Sequence, residues 1–378
     1  MASWDEVGVR RLRAGGSLKW TAHPDALGAW VAEMDFGVPP AVAAALHRAV
    51  DDGPLGYLPG PPVDRLREAC ASWLDTAYGW ALPADAVRVV PDVLRGLEVV
   101  LDALLEPGTP VVVPTPAYPP FLALPRLHGR RVVEVPMRLA GGRWVLDEPA
   151  VEAALAPAGG LLLLCNPHNP LGRVHTREEL LRVAALVERT GGRVFADEIH
   201  APLVYAPHRH VPYASVGPAA ARHSVTAMSA AKAWNLAGLA CAQVLLTDPA
   251  DRERWDGLSH FATRGASTLG VVAAAAAYTG GGPWLAEVLD YLAGNRALAA
   301  GLPGVGHVPP EGTYLAWYDA RPRVGLAPYL LRAAGVAVTG GEDCAAPGRF
   351  RLNFALPRPV LVEALDRVAT ALARPALA

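Results

Sequence analysis

Three polar residues in the middle of the chain, Asn169, Asp197 and Lys232, share one kind of setting. Each follows a short apolar run. Leu161–Cys165 leads into Asn166-Pro-His-Asn169-Pro-Leu-Gly172, residues 193–196 lead into Asp197-Glu-Ile-His200, and Ser224–Met228 leads into Ser229-Ala-Ala-Lys232-Ala-Trp-Asn235. Lysine is costly to bury unless something pairs with it or removes its charge, so one set among alanines at a strand end reads as an amine held for chemistry. Each residue also has a plain alternative. Asn-Pro is a common turn, Asp197 and Ser229 suit caps, and Lys232 suits an exposed loop. The signal lies in the recurrence, because open α/β sheets bind ligands beyond the carboxyl ends of their strands.

The runs that carry these residues belong to an alternating pattern. Strands are expected at 87–90, 111–113, 131–135, 161–165, 193–196, 224–228 and 239–246, with helices at 41–52, 62–78, 93–105, 151–156 and 177–190. Continuous apolar strands separated by helices mean a mostly parallel sheet covered on both faces. The remainder segregates strands from helices, as an α+β unit does. A helix is expected at 283–302, strands at 313–318, 336–339 and 350–354, and a closing helix at 359–373. The first forty residues read as irregular, and 273–277 as a helical alanine patch. The expected division is 1–45 as the N-terminal segment of a small domain, 46–282 as a large α/β domain, and 283–378 as the rest of the small α+β domain.

Composition bounds the function. The chain has 378 residues, 52% of them apolar and 19% charged, with a formal net charge of -2. That balance supplies a sizeable core and argues against nucleic-acid or membrane-surface partners. Cys70, Cys165, Cys241 and Cys344 are scattered without a CxxC pair, which suits reduced thiols in a cytoplasmic protein better than a disulfide framework or zinc site. The start, Met1-Ala-Ser-Trp-Asp-Glu, lacks the basic-then-apolar pattern of a secretory signal, and no apolar run is long enough to span a bilayer. His208-Arg-His210 reads as a solvated loop, so no metal site is expected.

With Trp30-Val-Ala-Glu-Met-Asp-Phe36, Asn166-Pro-His-Asn-Pro170, Asp197-Glu-Ile-His200 and Lys232-Ala-Trp-Asn235 in view, the chain resembles the fold-type I pyridoxal 5′-phosphate (PLP) enzymes, the aspartate-aminotransferase-like superfamily. The likeness runs from about Trp30 to the closing helix. Within the superfamily it resembles the cystathionine β-lyase or C–S lyase branch (MalY/PatB type). The resemblance implies that Lys232 carries the cofactor and takes the substrate's Cα proton, which needs a neutral amine; burial and a cationic ring favour one. It implies that Asp197 pairs with the ring nitrogen, that Asn169 donates to the ring oxygen, and that Tyr118, in Pro114-Thr-Pro-Ala-Tyr-Pro-Pro120, stacks on the ring. The phosphate would sit at the turn Pro91-Asp92-Val93-Leu94, where a helix N-terminus favours an anion, with the Ser229 hydroxyl added. His200 would lie near the cofactor. Tyr57 would reach the phosphate of a neighbouring subunit, which implies a homodimer with sites at its interface.

Arg351, in Arg349-Phe-Arg351-Leu-Asn353, would bind the substrate α-carboxylate, a ligand that suits a guanidinium fork. Arg349 shares its strand face, so alternation cannot choose between the two. Tyr57 and Asn169 would also touch the amino-acid substrate. The implied reaction is β-elimination from L-cystathionine or another cysteine S-conjugate, giving thiol, pyruvate and ammonia. Alternatives on the same scaffold are an aminotransferase, a secondary-metabolism enzyme for a large S-cysteinyl conjugate, or a PLP-binding regulatory protein. Several residues depart from the family pattern. No Arg or Lys lies between Lys232 and Gln243. Asp92 replaces a glycine beside the phosphate, where Arg95 is expected to offset its charge. Glu33 stands for an aspartate, Trp234 for a phenylalanine and Cys344 for an aromatic, changes expected to reshape the substrate pocket.

Overall fold

A computed structural model describes residues 4–53, 55–156 and 159–374. The start of the N-terminal stretch (1–3) and Pro54, in the break expected after the first helix, lie outside the described residues. Seven strands form the large sheet: β1 (Val87–Val90), β2 (Val111–Thr115), β3 (Val132–Pro136), β4 (Leu161–Cys165), β5 (Arg193–Asp197), β6 (Ser224–Met228) and β7 (Ala242–Leu246). Their order is β1-β7-β6-β5-β4-β2-β3. All neighbours run parallel except β7, which is antiparallel to both β1 and β6. Strands β2, β4, β6 and β7 are buried at every position, as a sheet covered on both faces requires. One covering layer includes Leu97, Phe121 and Trp255, and the other Leu155, Leu180 and Tyr213.

Helices α1 (Pro40–Asp52), α2 (Gly60–Tyr78), α3 (Val93–Val99), α4 (Pro119–Leu127), α5 (Arg177–Thr190), α6 (Ala230–Ala233), α7 (Thr268–Gly280), α8 (Gly282–Ala300) and α9 (Arg358–Ala373) complete the frame used below. Sequence chemistry sets their ends. Thr176 and Glu179 form a reciprocal capping box on α5, satisfying two first-turn donors. Asp92 caps α3 by accepting from Arg95 N at 2.7 Å. Gly96 lets α3 lie close on the sheet, since a Cβ there would stand 2.8 Å from Val244 Cγ2. A smaller antiparallel sheet pairs β8 (Gly306–His307) with β9 (Leu315–Asp319), then β11 (Arg349–Asn353), then β10 (Thr339–Gly340).

The structure departs from expectation at several places, each for a local reason. The strand expected from 239 starts at Ala242, because Leu239 closes a 3-10 turn and Ala240 has φ 48°. The strand expected from 313 starts at Leu315, after Thr313 at φ 68°. The strand expected at 336–339 splits: Val336–Ala337 pairs with Leu27–Gly28, and Thr339–Gly340 with β11. The alanine patch is the interior of α7, which packs against α1 and α2. The helix expected at 93–105 is α3 continued by a π-helical turn, Val100–Leu104. The first forty residues are only partly irregular, with short helices at Val9–Ala14 and Leu18–Thr21.

Residues 30–36 form an irregular, bent strap between the two sheets, with Glu33 N donating to Val31 O at 2.9 Å. Side chains from both sides clamp its backbone. Asn235 accepts from Met34 N and donates to Met34 O, each at 3.0 Å. Asn353 Nδ2 donates to Val31 O and Glu33 O, each at 2.7 Å. Within the strap Asp35 faces the fully buried Lys19 at 3.0 Å and accepts from Trp20 Nε1 at 3.0 Å.

Candidate active site

The carboxyl ends of β4, β5 and β6 open into a cavity of about 760 Å³ that includes Asn169, Asp197 and Lys232 in its lining. Lys232 sits in the one-turn helix α6. Ser229 caps that turn, accepting from Ala231 N at 3.0 Å and donating to Cys241 O at 2.7 Å. Lys232 Nζ donates to Ala32 O in the strap at 3.0 Å. Its pKa is lowered to about 8, by burial first and then by the Arg351 guanidinium, against the opposing pull of Glu33 and Asp197. A substantial neutral fraction therefore exists in weakly alkaline water. The chain holds two lysines, Lys19 and Lys232. Lys19 is fully buried and paired with Asp35, so Lys232 is the lysine the cavity offers. That count, available from the sequence, is a stronger pointer than the local motif.

Asp197 ends β5, in register with Cys165 on β4 and Ala227 on β6. Its carboxyl is buried and its pKa raised to about 7. Desolvation is the main cause, with the Glu198 charge adding to it; the Ile199 N–H at 3.1 Å, Lys232 and Cys165 oppose it. Asn169 is buried and accepts from Arg351 Nη1 at 2.9 Å, which fixes the amide with its NH2 as the end left to donate.

Two arginines line the cavity, and Arg126 pairs with Glu134 at 2.9 Å, which leaves Arg351. It is 5% exposed. Its Nη2 donates to Trp30 O at 2.8 Å and Thr339 Oγ1 at 3.0 Å, and its Nε has no partner. Every acceptor it meets is neutral, so a buried cation stands without an anion, an arrangement that invites a carboxylate ligand. Arg349 faces Asp319 across β9 and pairs with it at 3.2 Å. The register thus separates two arginines that alternation left equivalent.

Tyr118 precedes α4 and lines the cavity half-buried, its hydroxyl pKa raised by burial and then by Asp197. His200 is 2% exposed and lines the cavity with Nδ1 unpartnered; burial, Lys232 and Arg351 lower its pKa to about 3, so it is a neutral ring. Val93 and Leu94 line the cavity in the first turn of α3, where helix N–H groups lack partners within the helix. Ser229 lines it too, but its hydroxyl hydrogen goes to Cys241 O. Tyr57 is not brought to this cavity. It is fully exposed and lines a separate cleft with Arg67, Arg88 and Arg264.

Other expectations need correction. The Arg95 guanidinium does not face Asp92; it pairs with Glu98 at 2.7 Å and donates to Ala262 O at 2.6 Å. Trp234 is a core residue, donating to Gly281 O at 3.0 Å and packed on Trp73 and Tyr278. Cys344 is fully buried behind the wall that Asp343 lines. His210 is not solvated but buried against Glu198 at 3.0 Å. Three contributors escaped sequence reasoning. Trp30 and Ala32 act through carbonyls, which carry no side-chain signature, and Tyr314, just before β9 and distant in sequence, donates to Ala32 O at 2.9 Å.

The donor set fits pyridoxal phosphate. An amine is available for its aldehyde, a buried carboxyl for its ring nitrogen, an amide for its ring oxygen and helix-terminal amides for its phosphate. Comparisons with known proteins agree. The family model "Aminotransferase class I and II" matches residues 31–368. The chain is 38% identical over 374 residues to a cystathionine beta-lyase of Corynebacterium glutamicum, covering 96% of this chain and 99% of that protein. It is 33% identical to the cystathionine beta-lyase PatB of Bacillus subtilis, with 92% and 93% covered. The solved PLP-bound C-S lyase from Staphylococcus hominis superposes with a TM-score of 0.88 at 28% identity, over 99% of both chains.

Proposed function

The chain belongs to the class I and II aminotransferase family, with pyridoxal 5′-phosphate as cofactor and the aspartate-aminotransferase-like, fold-type I architecture, and from that premise we propose that it is a carbon–sulfur β-lyase acting on L-cystathionine or another cysteine S-conjugate. The observation that carries the reading is Lys232: a lysine whose pKa is lowered to about 8, in a cavity that also contains a buried carboxyl and an arginine without an anionic partner. Full-length likeness to proteins named cystathionine β-lyase supports the choice of reaction.

Bound pyridoxal phosphate supplies the electron sink beside Cα. Asp197 would hold a proton on the ring nitrogen, Asn169 would donate to the ring oxygen, and Tyr118 would stack on the ring face. Val93 and Leu94 would offer first-turn amides to the phosphate. Arg351 binds the α-carboxylate and so fixes which Cα bond faces Lys232. The neutral Lys232 amine takes the Cα proton; its new ammonium is held by Ala32 O and faces the Asp197 and Glu33 charges. The Cα–H electron pair forms the Cα–Cβ double bond, the Cβ–S bond breaks, and sulfur leaves with its bonding pair. Lys232 would return its proton to that sulfur. The released enamine takes up water to give pyruvate and ammonia.

The same amine and carboxyl would also serve an aminotransferase, the second reading. The proposal further includes a homodimer, with Tyr57 serving the partner's site, and a cytoplasmic location, where four unpaired cysteines stay reduced.

Purified protein should be yellow. Borohydride reduction should leave the cofactor on the peptide that carries Lys232. Lys232→Ala should lose both that adduct and pyruvate release from L-cystathionine. Pyruvate release that survives Lys232→Ala, or an adduct elsewhere, would overturn the reading.

A further inference from the structure

Asp197 and Asn169 come from different strand ends, and one side chain touches both. Cys165 ends β4, in register with Asp197 on β5. Its Sγ accepts from Asn169 N at 3.5 Å, and its single hydrogen has two acceptors within reach, Pro167 O at 3.4 Å and Asp197 Oδ2 at 3.8 Å. The side chain is 4% exposed and unpaired with any other cysteine.

We infer that Cys165 is a positioning residue, whose thiol holds the Asp197 carboxylate and the Asn169 loop in the arrangement the cofactor ring requires. The inference rests on the PLP reading above. Burial, then the neighbouring carboxylate, raises the Cys165 pKa far above the ordinary thiol range, so the group remains an S–H donor. The charge on an ionised Asp197 draws that hydrogen from Pro167 O toward Oδ2, and a hydrogen so turned favours the ionised carboxyl, the form that would hold a protonated ring nitrogen. The lone pairs on the same sulfur take the Asn169 N–H, which fixes the start of the Asn169-Pro turn. No other described side chain is recorded bonding to both residues. Asp197 is also influenced by Glu198 beside it, Lys232 on α6 and Tyr118 before α4; these stay constant when only position 165 changes.

The crossed pair of substitutions Cys165→Ser and Cys165→Val separates hydrogen bonding from packing. Serine keeps a donor and acceptor but fills less space; valine fills the space without either. Apoprotein of each variant and of the wild type is titrated with PLP across the acid and neutral range, with near-ultraviolet circular dichroism as the check on folding. Cys165→Ala replaces the valine variant if that one does not fold. Valine should weaken PLP binding about fivefold at neutral pH, the order expected of one weak hydrogen bond to a charged group. It should also move the acid-side loss of affinity to higher pH. Serine should restore both. Full binding by the valine variant with loss in serine would make the thiol mere packing, and identical binding by all would remove any role; either overturns the inference. Wild-type protein that bound no PLP would overturn the PLP reading itself, and the inference with it.

Discussion

Lys232 is poised by what surrounds it rather than by its own chemistry. Burial and the Arg351 cation bring its pKa to about 8. The charged form is the one disfavoured, so the amine gains reactivity as pH rises through that value. In cofactor-free protein, acylation of Lys232, followed by peptide mass spectrometry, should titrate with a midpoint near pH 8. Arg351→Met removes a like charge and should move the midpoint up; a wild-type midpoint at the ordinary lysine value of 10.5 would contradict the electrostatic picture. With Lys19 buried and paired, the assay reads one side chain. Asn169, Asp197 and Lys232 were legible in the sequence because each follows an apolar strand, and strand ends are where α/β sheets place ligands. Alternation alone left Arg351 as one of two arginines; the resemblance chose it, and the physical reason, Asp319 opposite Arg349, is visible only in the sheet register. Arg95 and Trp234 were misjudged because proximity in sequence to a motif says nothing about where a long side chain turns.

The strap of residues 30–36 shows what patterning cannot predict. It has neither helical nor strand period, and its order comes from side chains of distant elements: Asn235, Tyr314, Asn353 and Lys19. Its carbonyls reach both Lys232 and Arg351, so its stability bears on the site. Asp35→Ala would leave the Lys19 ammonium buried without its counter-ion, a change that typically costs about 3–5 kcal/mol. Urea denaturation should register that loss, and an effect below about 1 kcal/mol would mean that the backbone acceptors Glu33 O and Ala355 O hold Lys19 unaided. The parallel strands were legible as continuous apolar runs. Helix α7 was only partly so, because it is apolar on nearly every face and shows no amphipathic stripe. The late start of β7 turns on one left-handed residue, Ala240, which alanine's usual preferences do not announce.

On the scale of the whole molecule, the proposed division is 1–45, 46–282 and 283–378, and Asn235 and Asn353, from the second and third parts, both bond the strap. Among the described residues no helix is long and apolar enough to cross a membrane. Tyr57 is 102% exposed and sits beside a cleft of about 1110 Å³, with exposed Leu55 and Phe261 nearby in the chain segments that border it. A homodimer would cover such a surface and carry Tyr57 to the partner's cofactor. Light scattering should give twice the chain mass of 39.7 kDa, and Tyr57→Ala should remain dimeric while losing PLP more readily on dialysis; a monomer that retains the cofactor fully would contradict the assembly. The central claim is the fate of the Cβ–S bond, and one assay addresses it. Purified enzyme is given L-cystathionine with no 2-oxo acid, and thiol and pyruvate are followed together. The account predicts that both appear in equal amounts and that amino acids without a leaving group at Cβ yield neither. Turnover that waits for an added 2-oxo acid, with the carbon–sulfur bond intact, would make the protein an aminotransferase instead.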